Sequence, residues 1–182
     1  MNQIIHRLQK EGYDAYAVGG CVRDTLLGRT PQDWDITTSA RPEIVKSLFC
    51  HTIDTGIQHG TVTVMLDHAG YEVTTYRIDG EYEDSRHPKE VIFTGNLGED
   101  LKRRDFTINA MAYNDESGRV DAFDGEKDLA AGILRRVGKP HDRFGEDALR
   151  MLRTVRFACL LYTTDAANTK TIVDMGDHRN IK

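Results

Sequence analysis

The sequence predicts an α+β fold, a small mixed sheet with helices around it and a helical segment towards the end of the chain. Three observations predict it. An apolar run, Tyr16-Ala17-Val18, ends in Gly19-Gly20 and gives way to Val22, Leu26 and Leu27 at helical spacing, the pattern of strand, turn and helix. Two alternating runs, Thr61 to Leu66 and Tyr71 to Arg77, flank Asp67-His68-Ala69-Gly70, as a β-hairpin requires. From Arg143 to Tyr162, the residues Phe144, Ala148, Met151, Leu152, Val155, Phe157 and Ala158 recur with the period of one long amphipathic helix.

Taken in order, Ile4, Ile5 and Leu8 open the chain on a helical face, and Gly12 separates them from the Tyr16–Val18 strand. Gly28 is placed to stop the helix that follows the glycine pair. Asp33 to Thr37 reads as a short strand, and Pro42 lies in the first turn of a helix carrying Ile44, Val45, Leu48 and Phe49. After the hairpin, 78–90 is polar and charged with no apolar period, which reads as a loop. A strand and a short helix lead to Arg103-Arg104-Asp105. The run Phe106 to Tyr113 fits strand and helix equally by pattern, and Phe123-Asp124-Gly125 marks a turn before a short helix. Beyond Tyr162 the chain turns polar.

Composition bounds the function. The chain has 182 residues, 39% of them hydrophobic, enough for one sizeable core. No apolar run approaches the ~18 residues of a membrane span, and Met1 to Lys10 lacks the apolar centre of a signal peptide. Cys21, Cys50 and Cys159 are odd in number and form no CxxC pair, which fits a reducing cytoplasm and gives no zinc or disulfide framework. The net charge of -5 argues against a chain that coats nucleic acid along its whole surface. Between Arg135 and Arg156, however, seven basic side chains face three acids, so positive charge gathers near the end.

Three groups of residues carry chemistry. Gly19-Gly20-Cys21-Val22-Arg23 puts glycines where a backbone can approach a ligand, next to a helix start whose free N–H groups suit phosphate. A tight turn with a surface arginine would look the same. In Asp33-Trp34-Asp35, strand alternation would project both carboxylates to one side, a hard-oxygen pair suited to Mg²⁺. Glu72 lies in the second hairpin strand and is either a third carboxylate for the same ions or a charge on a wet sheet face. Along the last helix, Asp147 and Arg150 are i,i+3 neighbours, and Arg153 and Arg156 continue the stripe. A solvated helix face is the alternative there.

These motifs in this order resemble the class II tRNA nucleotidyltransferases, the CCA-adding enzymes, and the related bacterial poly(A) polymerases. The resemblance runs from about Tyr16 to Leu161. It rests on Gly19 to Asp24, Asp33 to Ile36, His59-Gly60-Thr61-Val62, Glu72 to Arg77, Asp100 to Ala110 and Arg143 to Phe157. It implies a polymerase-β-like head over residues 1–137 and the beginning of a helical neck over 138–182. Asp33 and Asp35, with Glu72, would be catalytic, the two aspartates holding Mg²⁺ ions about 3.5–4 Å apart. Gly19, Gly20 and Arg23 would hold the triphosphate and Arg104 the nucleotide, while Asp147, Arg150, Arg153 and Arg156 would form the nucleotide side of the neck.

The implied reaction is addition of CMP and AMP from CTP and ATP to the tRNA 3′ end. Asp147 and Arg150 would read the amino donor and ring-nitrogen acceptor that cytosine and adenine share. Segment 78–90 resembles the flexible loop of CCA- and A-adding members, with Arg86-His87-Pro88 where the family often has Arg-Arg-Pro. Family members continue into further helical domains that grip tRNA, whereas here the likeness fades after Leu161 and the chain stops at Lys182. Poly(A) synthesis and a nucleotide-binding module without transferase activity therefore stand beside CCA addition. The oligomeric state is left open.

Overall fold

The computed structural model describes residues 1–79, 91–138, 157 and 172–174. Helix α1 (Asn2–Lys10) leads into β1 (Ala15–Val18), and the glycine turn opens α2 (Gly20–Leu26). Strand β2 (Asp35–Thr38) is followed by α3 (Pro42–Leu48), which carries its proline in the first turn, and by β3 (Thr52–Gly56). Next come the hairpin strands β4 (Thr61–Leu66) and β5 (Ala69–Thr75), then β6 (Arg77–Asp79), β7 (Val91–Phe93) and α4 (Leu97–Lys102). The described chain closes with β8 (Met111–Asn114), β9 (Gly118–Asp121), α5 (Gly125–Ala130), β10 (Ile133–Arg135) and β11 (Ile172–Asp174).

Seven strands form one sheet in the order β3-β4-β5-β2-β1-β8-β9. Its only parallel pair among the described residues is β2 with β5, and every other neighbour is antiparallel. The predicted mixed sheet is thus present and larger than the sequence patterns suggested. One face packs on α1 and α3: Ile36, Val62, Val64 and Val73 meet Ile4, Ile5, Leu8 and Val45, all almost fully buried. Burial of a side chain such as Leu8 contributes about 1.5–3 kcal/mol. On the opposite face, Val18 and Ala112 pack with Leu101 of α4.

Several local readings are corrected. The hairpin turn is the pair Asp67-His68, both at positive φ (50° and 63°), so Ala69 and Gly70 already belong to β5. That geometry is the two-residue turn whose twist matches the strands. The undecided run Phe106–Tyr113 is a 3₁₀ turn at Thr107–Asn109 followed by β8. Ile78 belongs to β6, paired with Ile92 of β7, so the expected loop is narrower than 78–90; residues 80–90 lie outside the described residues. Strands β3 and β9 were not expected. Of the predicted helix from Arg143 to Tyr162, only Phe157 is described, and it is helical. Within the segment read as helical, Ile172–Asp174 forms β11, parallel to β10.

Candidate active site

The acids come together at the start of the parallel pair. Register places Asp35 opposite Glu72 and Thr37 opposite Thr74, and paired residues point to the same face. Ile36 and Val73, one step on, point to the core. Asp33 lies in a bend two residues before β2, so strand alternation does not place it, contrary to the sequence expectation. Its charge nevertheless acts on both other acids. Glu72 is raised above the ordinary glutamate range by burial and then by repulsion from Asp35 and Asp33. Asp35 is also raised, first because the protein beneath it displaces water, with Asp33 adding repulsion and Arg104 opposing it. All three side chains open to solvent.

A concentration of hard carboxylate oxygens that repel one another is the donor chemistry a divalent cation such as Mg²⁺ satisfies. The three acids do not close into a cage by themselves. Among the described residues, no group of three or more His, Cys, Asp or Glu side chains is placed to hold a metal ion. The set fits an ion held by a carboxylate pair and completed by water and phosphate oxygens, the usual manner of Mg²⁺.

The glycine turn, expected to let the backbone approach a phosphate, lies against two arginines. Gly19 has φ 80°, and a Cβ there would lie 3.1 Å from Nη1 of Arg104. A Cβ on Gly20 would lie 3.6 Å from Nη2 of Arg23. Gly19 thus makes room for the Arg104 guanidinium, whereas a Cβ on Gly20 would meet Arg23 at ordinary van der Waals distance. Arg23 is buried rather than presented to solvent. Its Nε and Nη2 both lie 2.8 Å from Oδ1 of Asp24, and its Nη1 donates to Oδ1 of Asn109 at 2.6 Å. Its guanidinium also stacks 5.2 Å from the ring centre of Phe157, which meets Phe106 edge-on at 5.5 Å. These contacts join Phe157 to α2 and to the residue that precedes the 3₁₀ turn. Phe157→Leu keeps an apolar side chain but removes the ring contacts, and is expected to lower stability by about 1 kcal/mol; an unchanged urea midpoint would show that those contacts contribute nothing.

Arg104 has the opposite character. Nη2 reaches Oδ2 of Asp100 at 3.4 Å, whereas Nε is buried without a hydrogen-bond partner among the described residues. Burial pulls its pKa below the ordinary arginine range and Asp100 counteracts this; a guanidinium keeps its proton regardless. Asp100 is fully buried. Burial alone would raise its pKa, but Arg103 and Arg104 outweigh that and hold it low. Asp100 and Asn109 were missed as site residues. The spacing of Asp100 to Arg103 and Arg104, i,i+3 and i,i+4 on a helix, was the available signal. Asp147, Arg150, Arg153 and Arg156 lie outside the described residues.

A CCA-adding enzyme of Leuconostoc mesenteroides is 51% identical over 173 residues, covering 94% of this chain and 43% of the relative. One of Lactiplantibacillus plantarum is 54% identical, covering 94% and 42%. The chain thus spans about two fifths of the length of these curated relatives. The crystal structure of the Bacillus stearothermophilus CCA-adding enzyme in complex with CTP superposes with a TM-score of 0.78 at 50% identity, covering 85% of this chain and 37% of that one. The α+β architecture is that of the head of such an enzyme. The sequence profile of the poly A polymerase head domain matches residues 15–135, from β1 through all three acids and the arginine pair to β10, and the chain belongs to that family.

Proposed function

We propose that this chain is the head and first neck segment of a template-independent RNA nucleotidyltransferase that adds CMP and AMP, from CTP and ATP, to the 3′ end of tRNA. The observation that carries the reading is the pairing of Asp35 with Glu72 next to Asp33 and within reach of the Arg104 charge. The names of the relatives, CCA-adding enzymes throughout those cited, support the same substrate class.

In this reading Asp33 and Asp35 hold Mg²⁺, which when bound neutralises phosphate charge and lowers the pKa of the attacking hydroxyl. The RNA 3′-oxygen bonds to the α-phosphorus, the bond to the β-phosphate bridge breaks, pyrophosphate leaves and the hydroxyl proton passes to water. Glu72 supplies a third carboxylate. Arg104, whose Nη1 lies beside Gly19, contacts the nucleotide. Gly19 and Gly20 keep the turn open, and Arg23, committed to Asp24 and Asn109, holds the triphosphate side in shape. Residues 1–137 form the catalytic unit and 138–182 the neck segment, where Asp147 and Arg150 select cytosine and adenine, flanked by Arg153 and Arg156. A tRNA substrate places the protein in the cytoplasm, and no described helix is long and apolar enough to cross a membrane.

The test is primer extension with Mg²⁺ on tRNA lacking its terminal CCA, with CTP, ATP or both, and Asp33→Ala as blank. Two C residues followed by one A are expected. Long A tracts would replace CCA addition with poly(A) synthesis, and no product above the blank would reduce the chain to a nucleotide-binding module.

A further inference from the structure

We infer that Asp100 is the positioning residue of this site, a single carboxylate that fixes Arg104 beside the Gly19 turn and ties it to the strand bearing Asp35. The inference rests on the reading of Arg104 as a nucleotide contact. Asp100 takes donors from three separate parts of the chain. Oδ1 accepts from Nε of Arg103 at 3.0 Å, with Nη2 at 2.8 Å, and from the backbone N–H of Arg77 at 3.3 Å. Oδ2 accepts from the hydroxyl of Thr37 at 3.1 Å and from Nη2 of Arg104 at 3.4 Å. Thr37 is two residues beyond Asp35 on the same strand face, and Arg77 opens β6.

A fully buried carboxylate is a poor source of stability, since a well-packed apolar side chain serves as well. What it provides here is a fixed location. Arg103 meets Asp100 through two nitrogens, whereas among the described residues Arg104 is anchored through one, its Nη1 lying beside Gly19 and its Nε without a partner. A guanidinium pinned at one corner with donors left over is preorganised for an acceptor that arrives from outside. Asp100 therefore acts on the nucleotide through Arg104.

The experiment is a double-mutant cycle of Asp100→Asn and Arg104→Gln on the full chain, read as the Kd for CTP by calorimetry, with thermal melts as folding control. Each single change is expected to weaken CTP about tenfold, and the double variant to bind no worse than Arg104→Gln alone. Losses that multiply would overturn the inference, because Asp100 would then act independently of Arg104. Should Asp100→Asn fail to fold, Thr37→Val, which loosens Asp100 while keeping side-chain shape, must weaken CTP about threefold only when Arg104 is present. The same loss in the Arg104→Gln background, or none in either, overturns the inference. If Arg104→Gln itself leaves CTP binding unchanged, the nucleotide reading of Arg104 fails first and takes the positioning role with it.

Discussion

Asp35→Asn is expected to reduce nucleotide transfer by on the order of a thousandfold and at the same time to raise the melting temperature of the metal-free protein at neutral pH. Asp35 and Glu72 both lie above the ordinary carboxylate range, burial being the first cause at each; at Asp35 the Arg104 charge opposes the rise and Asp33 adds to it, and at Glu72 repulsion from Asp35 and Asp33 adds to it. A carboxyl raised in the folded state favours folding while it is protonated. That contribution is complete below the unfolded value near pH 4 and is lost as pH rises through the folded value. At pH 7 the charged pair therefore opposes folding, and asparagine, of the same shape, removes one charge. The advantage of Asp35→Asn should narrow as the buffer is taken below about pH 4. Mg²⁺ should raise the melting temperature of the wild type by mass action and leave the variant unmoved. Thermal melts at both pH values, with and without Mg²⁺, give this result without any need for turnover. A variant that melts lower than wild type at pH 7, or responds equally to the metal, would remove Asp35 from the metal-holding role.

What could be read in the sequence depended on how local the cause was. The β1–glycine–α2 unit is written into twelve adjacent residues, Ala15 to Leu26, and the structure reproduces it. So is the β4–β5 hairpin, except that the turn uses Asp67 and His68 in left-handed conformation while the pattern drew attention to Gly70. Strand β8 escaped because Met111, Ala112 and Asn114 are all buried, so the run does not alternate as a half-exposed strand does. Strand β3 escaped for the opposite reason: it is an edge strand with Ile53, Asp54 and Thr55 all exposed, and no periodic apolar face announces it.

The site divides in the same way. Asp33 and Asp35 are two residues apart and legible as a pair, and Glu72 is legible as a third acid from its place in the hairpin. Its pairing with Asp35 is a parallel contact across 37 residues, which no local pattern specifies. Arg23 was expected to face a ligand because it follows the glycine turn. Its side chain is buried and, besides Asp24, meets Asn109, 86 residues away, a contact that no local pattern specifies. The hydroxyl of Thr37 meets Asp100 across 63 residues, so the role of Asp100 emerges only once the sheet and α4 are assembled.

Gly125→Ala is expected to cost about 3 kcal/mol or more, although this glycine has no left-handed backbone to explain it. A Cβ at Gly125 would lie 2.3 Å from the carbonyl oxygen of Thr107, with the Thr107 carbonyl carbon and Cγ of Met111 both at 2.9 Å. Two of these atoms are backbone and cannot rotate away. Nor can α5 retreat cheaply, because the N–H groups of Gly125 and Glu126 are held by the carboxylate of Asp121 at 2.8 and 2.9 Å. On the other side, the Thr107 hydroxyl donates to Asp128 at 2.7 Å, binding the two elements together. Gly118→Ala is the matched control: φ is +72° but nothing lies within 4 Å of the added methyl, so only the left-handed penalty of about 1–2 kcal/mol applies. Urea unfolding of the two variants separates crowding from backbone strain, and a Gly125 loss no larger than the Gly118 loss would refute the close packing of α5 on the 3₁₀ turn. The consequence reaches the site, since the turn that Gly125 supports carries Asn109, and Asn109 holds Arg23 beside Gly20. A displaced turn would thus loosen an arginine next to the glycine turn without touching a single acid.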